Sequence, residues 1–378
     1  MVHYFDNCAT TRVDDEVQKI LSRYAAEIYF NPSARSTYSL NVANDINTAR
    51  RDIARRLGVT DTEIFFTSGG TESDNIAIMG SLRAKRGNVV ISLIEHSATY
   101  NAVAELSNRG YEVRIAKTLA DGHIDANDFV SKVDEQTVLA CFMHVSNETG
   151  AINDVRAINA MIKAKNADTV TFSDGVQALG KIPVNIRYLG VDLYSFASHK
   201  IHGSKGVGGL YVKNNLKISP LLRGGGQEKG LRSGTEFVGG IVGFAKAIEL
   251  ACDNVAANAH NFTEYKQIIR NALASVSDWK ENCTENVSPA IMSLAFADIK
   301  GEVLVHMLEK YDIIIGTGSA CSSKNKQSRF AKAIGLEAKY SEGVIRISFS
   351  KYNTKEEAEL LAEKLRLCIT DLRKTMLG

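Results

Sequence analysis

Six short apolar runs rich in β-branched and aromatic residues, at 64–67, 88–93, 113–116, 138–145, 169–173 and 193–197, are separated by stretches of helical or loop character. Strands spaced this way return through crossovers rather than hairpins, which predicts a mostly parallel sheet covered on both faces. Ahead of them, Tyr38, Val42, Ile46, Ala49, Ile53 and Leu57 step by 4, 4, 3, 4 and 4, one buried helix stripe that Gly58 closes. After about residue 240 the pattern changes to long helices over roughly 241–274, then a few strands, then a terminal helix. Thr354 and Glu357 form a capping box for that helix, and Ala358, Leu361, Leu365, Cys368, Leu372 and Met376 make its apolar stripe. The fold class is therefore α/β, a large domain with a mostly parallel sheet followed by a smaller α+β domain, and 378 residues are enough for both. In such sheets ligands bind at the carboxyl ends of the strands, so chemistry is sought there.

Composition removes several function classes. With 45 basic and 43 acidic residues the formal charge is +2, which gives no support to a whole-surface binder of nucleic acid or anionic membrane. Asp6 and Arg12 interrupt the first residues, so no signal peptide is read, and no run approaches the roughly 18 apolar residues of a membrane span. The expected location is cytoplasmic. Six cysteines lie scattered without a CxxC pair, which disfavours a disulfide framework and a structural zinc site and leaves reduced thiols.

Three strand ends carry the chemistry. The segment 63–75 enters Gly69 and Gly70 from an apolar run and leaves through Thr71 into a helix, where backbone N–H groups and the helix dipole favour an anion such as phosphate. It lacks the P-loop lysine pattern, and no GxGxxG occurs. The run 170–174 ends in Asp174, and the run 192–200 ends in His199 and Lys200 before a glycine-rich segment, 203–209, read as flexible. A lysine after an apolar strand is partly desolvated, so its amine can condense with an aldehyde cofactor, and a nearby aspartate keeps a pyridine nitrogen protonated. Taken singly, Asp174 suits a helix cap and Lys200 a surface position; together they point to the cofactor reading.

The strings TSGGTESDN, EHSA, NETGAI, SDGVQALGK, SFASHKIHGSKG, GGGQEKGLRSGTE, TGSACSS and RISFS occur in that order between 67 and 350, after an opening YFDNCATT. In this order they resemble the NifS/IscS-like cysteine desulfurases of the class V aminotransferase family. That resemblance implies pyridoxal 5'-phosphate as cofactor, the fold type I transferase architecture, and a homodimer with its active site at the subunit interface. The domains implied are a cofactor-binding one over 15–250 and a small one over 1–14 and 251–378 that carries the catalytic-cysteine loop. By resemblance Lys200 is the Schiff-base lysine, Asp174 the partner of the pyridinium nitrogen, Gln177 the partner of the phenolic oxygen, and His96 the residue stacked on the ring. Thr71 and His199 fall to the phosphate, with Thr235 reaching it from the other subunit, and Gly70 and Ser198 are further cofactor-binding positions. Asn147 stands beside cofactor and substrate, and Arg346 holds the substrate carboxylate. No metal is implied.

Cys321 sits among small and polar residues, 316–326, with Lys324 and Lys326 nearby to favour a thiolate. The resemblance makes it the nucleophile that takes sulfur from L-cysteine, leaving alanine, and passes it as a persulfide to an iron–sulfur scaffold, a tRNA thiolase or a thiocofactor pathway. Four positions depart from the family pattern: Cys8 for an alanine, Ala197 for a phosphate-binding serine, Ser204 for a proline and Phe237 for an asparagine. Packing is the expected role of Cys8. A selenocysteine lyase, another class V β-lyase or aminotransferase, and a degenerate scaffold remain as alternatives.

Overall fold

The computed structural model describes residues 2–82, 86–318 and 329–377. Its strands are β1 (His3–Phe5), β2 (Ile64–Thr67), β3 (Asn88–Ser92), β4 (Glu112–Ala116), β5 (Thr137–Cys141), β6 (Val170–Asp174), β7 (Leu193–Ala197), β8 (Gly208–Val212), β9 (Trp279–Glu281), β10 (Ile291–Phe296), β11 (Ile313–Thr317) and β12 (Val344–Ser348). Among the described residues they form a seven-stranded sheet, β2-β8-β7-β6-β5-β3-β4, and a five-stranded sheet, β1-β11-β12-β10-β9. In the larger sheet β3, β4, β5, β6 and β7 run parallel, and only β8 opposes its neighbours. The α/β class with a mostly parallel sheet is what the spacing of apolar runs dictates.

Each face of the large sheet has its own core. On one, Phe142, Tyr194 and Phe196 pack with Ile46, Ile53, Leu57 and Phe244 from helices; on the other, Ile91, Leu139, Phe172 and Leu193 meet Ile76, Ala102 and Leu106. A third core joins the small sheet to the helices Val255–Leu273 and Lys355–Leu377 through Phe5, Ile291, Ile345, Ile269, Leu361 and Leu365. The expected caps are in place. Gly58 takes φ 72° and its N–H reaches Ala54 O, while Thr354 N donates to Glu357 Oε2 at 3.2 Å and Glu357 N to Thr354 Oγ1 at 3.3 Å.

Four local expectations need correction. The helical stretch 241–274 is two helices, Val238–Asp253 on the first core and Val255–Leu273 on the third, because one straight helix cannot serve two cores. The apolar run 138–145 is a strand only to Cys141, and its remainder follows β6 as irregular chain, with Phe142 N donating to Phe172 O at 3.1 Å and His144 N to Asp174 O at 2.9 Å. Tyr38, at the start of the predicted stripe, is 65% exposed and stacks on Phe30 with ring centroids 4.8 Å apart, since the core ends one turn later at Val42. The glycines before residue 210 belong in part to β8 rather than to a flexible loop. A Cβ on Gly208 would lie 2.5 Å from the backbone of Gly69, and one on Gly209 would lie 2.3 Å from the Phe196 ring, so these glycines serve close approach.

The strand order brings the carboxyl ends of β2, β3, β5, β6 and β7 to one edge, and the chain from β1 crosses to meet it. Thr11 N donates to His199 O at 3.0 Å and Asp14 N to His202 O at 2.8 Å, which ties the segment after β1 to the turn after β7. At the end of β6 the chain turns tightly over Tyr194: Gly175 N donates to Ser195 O at 2.9 Å, and a Cβ on Gly175 would sit 1.9 Å from the tyrosine ring. Gly175→Ala is expected to destabilise the protein by about 2 kcal/mol through overpacking, read as a lowered urea midpoint.

Candidate active site

At that sheet edge lies a cavity of about 380 Å³ lined by Cys8, Ala9, Gly70, Thr71, Asp74, His96, Asn147, Asp174, Val176, Gln177, Ala197, His199, Lys200 and Arg346, among others. The size suits a small cofactor with a substrate. The side chains come from five strand ends of the large sheet, from the segment after β1, and from β12 of the small sheet.

Lys200 ends the turn Ser198–Lys200 that follows β7. Its Nζ donates to Cys8 O at 2.5 Å and Ala9 O at 2.8 Å. Burial, then the charge of Lys181, brings the Lys200 amine down to about 8, against the attraction of Asp174. Asp174 closes β6, buried, and accepts from Val176 N at 2.8 Å. Burial pushes its carboxyl up, while His96, the Val176 N–H and Lys200 hold it back. Gln177, one turn on, donates from Nε2 to Cys8 O at 3.0 Å and accepts at Oε1 from Lys181 Nζ.

His96 caps the helix Ser97–Asn108, its Nδ1 accepting from Ala98 N at 3.2 Å, which leaves the ring proton on Nε2. Burial, then neighbouring Lys200, lowers His199 to about 4, so this imidazole is neutral at physiological pH. Gly70 and Thr71 form the first turn of the helix Gly70–Ser81, whose leading N–H groups have no intrahelical acceptor. A Cβ on Gly70 would lie 2.9 Å from Val176 Cγ2, so the turn needs glycine to pack this closely. Arg346 donates from Nη1 to Asn147 O at 2.8 Å and from Nη2 to Asp6 Oδ1 at 2.9 Å, while its buried Nε has no partner among the described residues.

The cavity thus gathers Lys200, His96, Gly70, Thr71, Asn147, Asp174, Gln177, His199 and Arg346 from the residues singled out in the sequence. Two are elsewhere. Ser198 points its buried hydroxyl at Gly203, where a Cβ would come within 1.9 Å of Oγ, and Ala197 takes the cavity side of that turn instead. Ser198, expected among the cofactor-binding residues, thus stands outside the lining of this cavity. Thr235 lines two other hollows, one of them with Tyr29, Phe30 and Phe237. Cys321 lies outside the described residues, as do Lys324 and Lys326.

Asp74 went unnoticed in the sequence. It is one helical turn after Gly70 and so shares its cavity face, a spacing that would have pointed to it. The nearest ligand-type atoms of Asp74, His96 and Asp174 lie within 4.8 Å of one another, and Asp74 Oδ1 is buried without a partner among the described residues. Burial, then the charge of Asp174, raises the Asp74 carboxyl well above the ordinary value.

The donor set fits pyridoxal phosphate. A buried carboxylate matches a protonated ring nitrogen, free N–H groups at a helix start match a phosphate, and an amine lines the same cavity. Stability follows His199. A histidine at about 4 in the folded chain and about 6.5 when unfolded makes the unfolded state bind the extra proton, so stability rises with pH across that window. Urea unfolding of cofactor-free His199→Asn is expected to show wild type gaining on the variant from about pH 4 to 6.5 and holding constant above.

Comparison with known proteins gives a consistent result. A family model described as "Aminotransferase class-V" matches residues 3–361. A cysteine desulfurase of Trichormus azollae is 35% identical over 378 residues, covering 98% of this chain and 94% of that protein. The cysteine desulfurase IscS of Dictyoglomus turgidum is 35% identical over 376 residues, with 98% and 95% covered. Among solved structures, a NifS-like protein superposes with a TM-score of 0.92 at 34% identity, over 98% of this chain and 100% of that one. The structure titled "SspA in complex with cysteine" superposes with a TM-score of 0.81 at 29% identity, covering 93% and 99%.

Proposed function

The chain belongs to the class V aminotransferase family, and from that premise we propose that it is a pyridoxal-phosphate-dependent cysteine desulfurase that converts L-cysteine to L-alanine and keeps the sulfur as a persulfide on Cys321. The observation that carries this reading is the convergence of Lys200, Asp174 and Arg346 on one cavity in a chain so similar to cysteine desulfurases.

Pyridoxal phosphate, when bound, supplies an aldehyde for amines and an electron-withdrawing ring that accepts the electron pair left on a substrate's α-carbon. Asp174 would hold the ring nitrogen, Gln177 Nε2 the phenolic oxygen, His96 the ring face, and Thr71, His199 and the first N–H groups of Gly70–Ser81 the phosphate. Arg346, which lines the cavity, would hold the substrate carboxylate, with Asn147 beside it; Asp6 and Asn147 O fix the guanidinium plane. An amine near 8 is a fair base at neutral pH, and Lys200 Nζ takes and returns the substrate's Cα proton. At sulfur the balance is simple. The C–S bond of cysteine breaks, an S–S bond to Cys321 forms, the carbon keeps the electron pair and takes up a proton, and alanine leaves. Nothing outside the reaction is oxidised or reduced.

A homodimer is part of the same reading. Tyr29, Tyr38, Leu40 and Phe237 are 71%, 65%, 61% and 52% exposed, and an exposed apolar group of this size is a usual mark of association. Thr235 borders a hollow with two of these aromatics, which supports its delivery to a partner copy's phosphate.

The test is alanine release from L-cysteine by the cofactor-loaded chain with a thiol reductant, together with mass analysis of the Cys321 peptide. Cys321→Ala is expected to abolish both added sulfur and alanine release, whereas a variant that still transfers sulfur at the full rate contradicts the assignment. Arg346→Ala is expected to raise the KM for L-cysteine by about 10- to 100-fold, the loss of a charged hydrogen-bonded pair.

A further inference from the structure

Lys181 is buried, yet among the described residues no carboxylate pairs with it, and its one hydrogen bond is to Gln177 Oε1. Sequence reading assigned it no role. A buried amine without a counter-ion is unfavourable, so its position calls for a reason. Two neighbours supply one. Gln177 spends Oε1 on Lys181 and one N–H of Nε2 on Cys8 O, and the remaining N–H of that amide is left for the cavity that Gln177 lines. Flipping the amide would set Nε2 against the lysine amine and Oε1 against the Cys8 carbonyl, two repulsive contacts. Lys200 donates to the same Cys8 carbonyl and also to Ala9 O, and Lys181 and Lys200 both line a second, smaller cavity of about 30 Å³.

We propose that Lys181 is a positioning residue of the active site: its amine pins the Gln177 amide so that an N–H donor faces the cavity, and its charge disfavours a second charge on Lys200. The donor half rests on the cofactor reading given above, because an N–H suits an anionic phenolic oxygen; the Lys200 half is a property of the chain alone.

The groups that act on Lys200 come from every element around it. Lys181 and Arg346 oppose its proton, Cys8 and Asp174 favour it, and His199 lies beside it on the same turn. Burial is the largest influence and Lys181 the next, and burial lowers Lys181 itself from its ordinary value. The charge of Lys181 therefore adds to burial in holding the Lys200 amine below its ordinary value, which raises the share of neutral, nucleophilic amine.

Trace acetylation of the full, cofactor-free chain across pH, with the Lys200 peptide quantified by mass spectrometry, reads this directly. Wild-type Lys200 is expected to label with a midpoint about 8. Lys181→Met is expected to move that midpoint up, so that labelling at pH 8 falls severalfold, and Lys181→Arg to leave it near the wild-type value. An unmoved midpoint in Lys181→Met overturns the inference. A wild-type midpoint at the ordinary lysine value also overturns it, and that arm requires no variant to fold. The donor half is read by equilibrium binding of pyridoxal phosphate, expected to weaken in Lys181→Met; unchanged binding refutes that half. Acetylation does not read desulfuration, so a chain that proves to use another substrate leaves the Lys200 result standing, and an active desulfurase with an unmoved midpoint rejects the inference alone.

Discussion

Two backbone carbonyls, Cys8 O and Ala9 O, hold the Lys200 amine, and they belong to a segment that begins in the other sheet. β1 pairs with β11, then the chain crosses and fastens Thr11 and Asp14 to the turn that carries Lys200. Asp6, at the start of the crossing, holds Arg346 of β12. One short stretch thereby fixes the distance between the amine on the large sheet and the guanidinium on the small one. Carbonyls serve this purpose well, since they orient the amine without the full charge that a carboxylate would bring.

The site is built from charges out of balance with their surroundings. Burial raises Asp74 and Asp174 and lowers Lys181 and Lys200. Groups perturbed in this way cluster where chemistry is done, because a low-dielectric pocket lends each remaining charge more force. The surrounding cores make it tolerable. Three packed clusters, with Gly175 folded against the Tyr194 ring, hold the strand ends rigid enough to keep unlike and like charges in fixed positions.

Much of this was legible in the sequence because it depends on local pattern. Strand runs, the Gly58 and Thr354–Glu357 caps, and Asp174 and Lys200 at their strand ends are all set by neighbours in the chain. The misses depend on contacts between distant segments. The break at Asn254 arises because two cores compete for one helical run; β8 hides in glycines that serve close packing; Tyr38 is apolar by composition but lies beyond the core's edge. Ser198 turns its hydroxyl to Gly203 because a tight turn follows β7 there, and Ala197 stays on the cavity side. Lys181 looks ordinary in sequence, and only its burial without a carboxylate reveals it, while the one-turn spacing of Asp74 from Gly70 gains meaning from its buried, unpartnered oxygen.

The central claim is that Lys200, among 45 basic residues, is the amine that meets the cofactor. Borohydride reduction of the chain loaded with pyridoxal phosphate, followed by peptide mapping, tests it most directly. The account predicts one cofactor mass per chain, on the peptide containing Lys200. Its appearance on Lys181, Lys205 or any other lysine, or on none, would contradict the account.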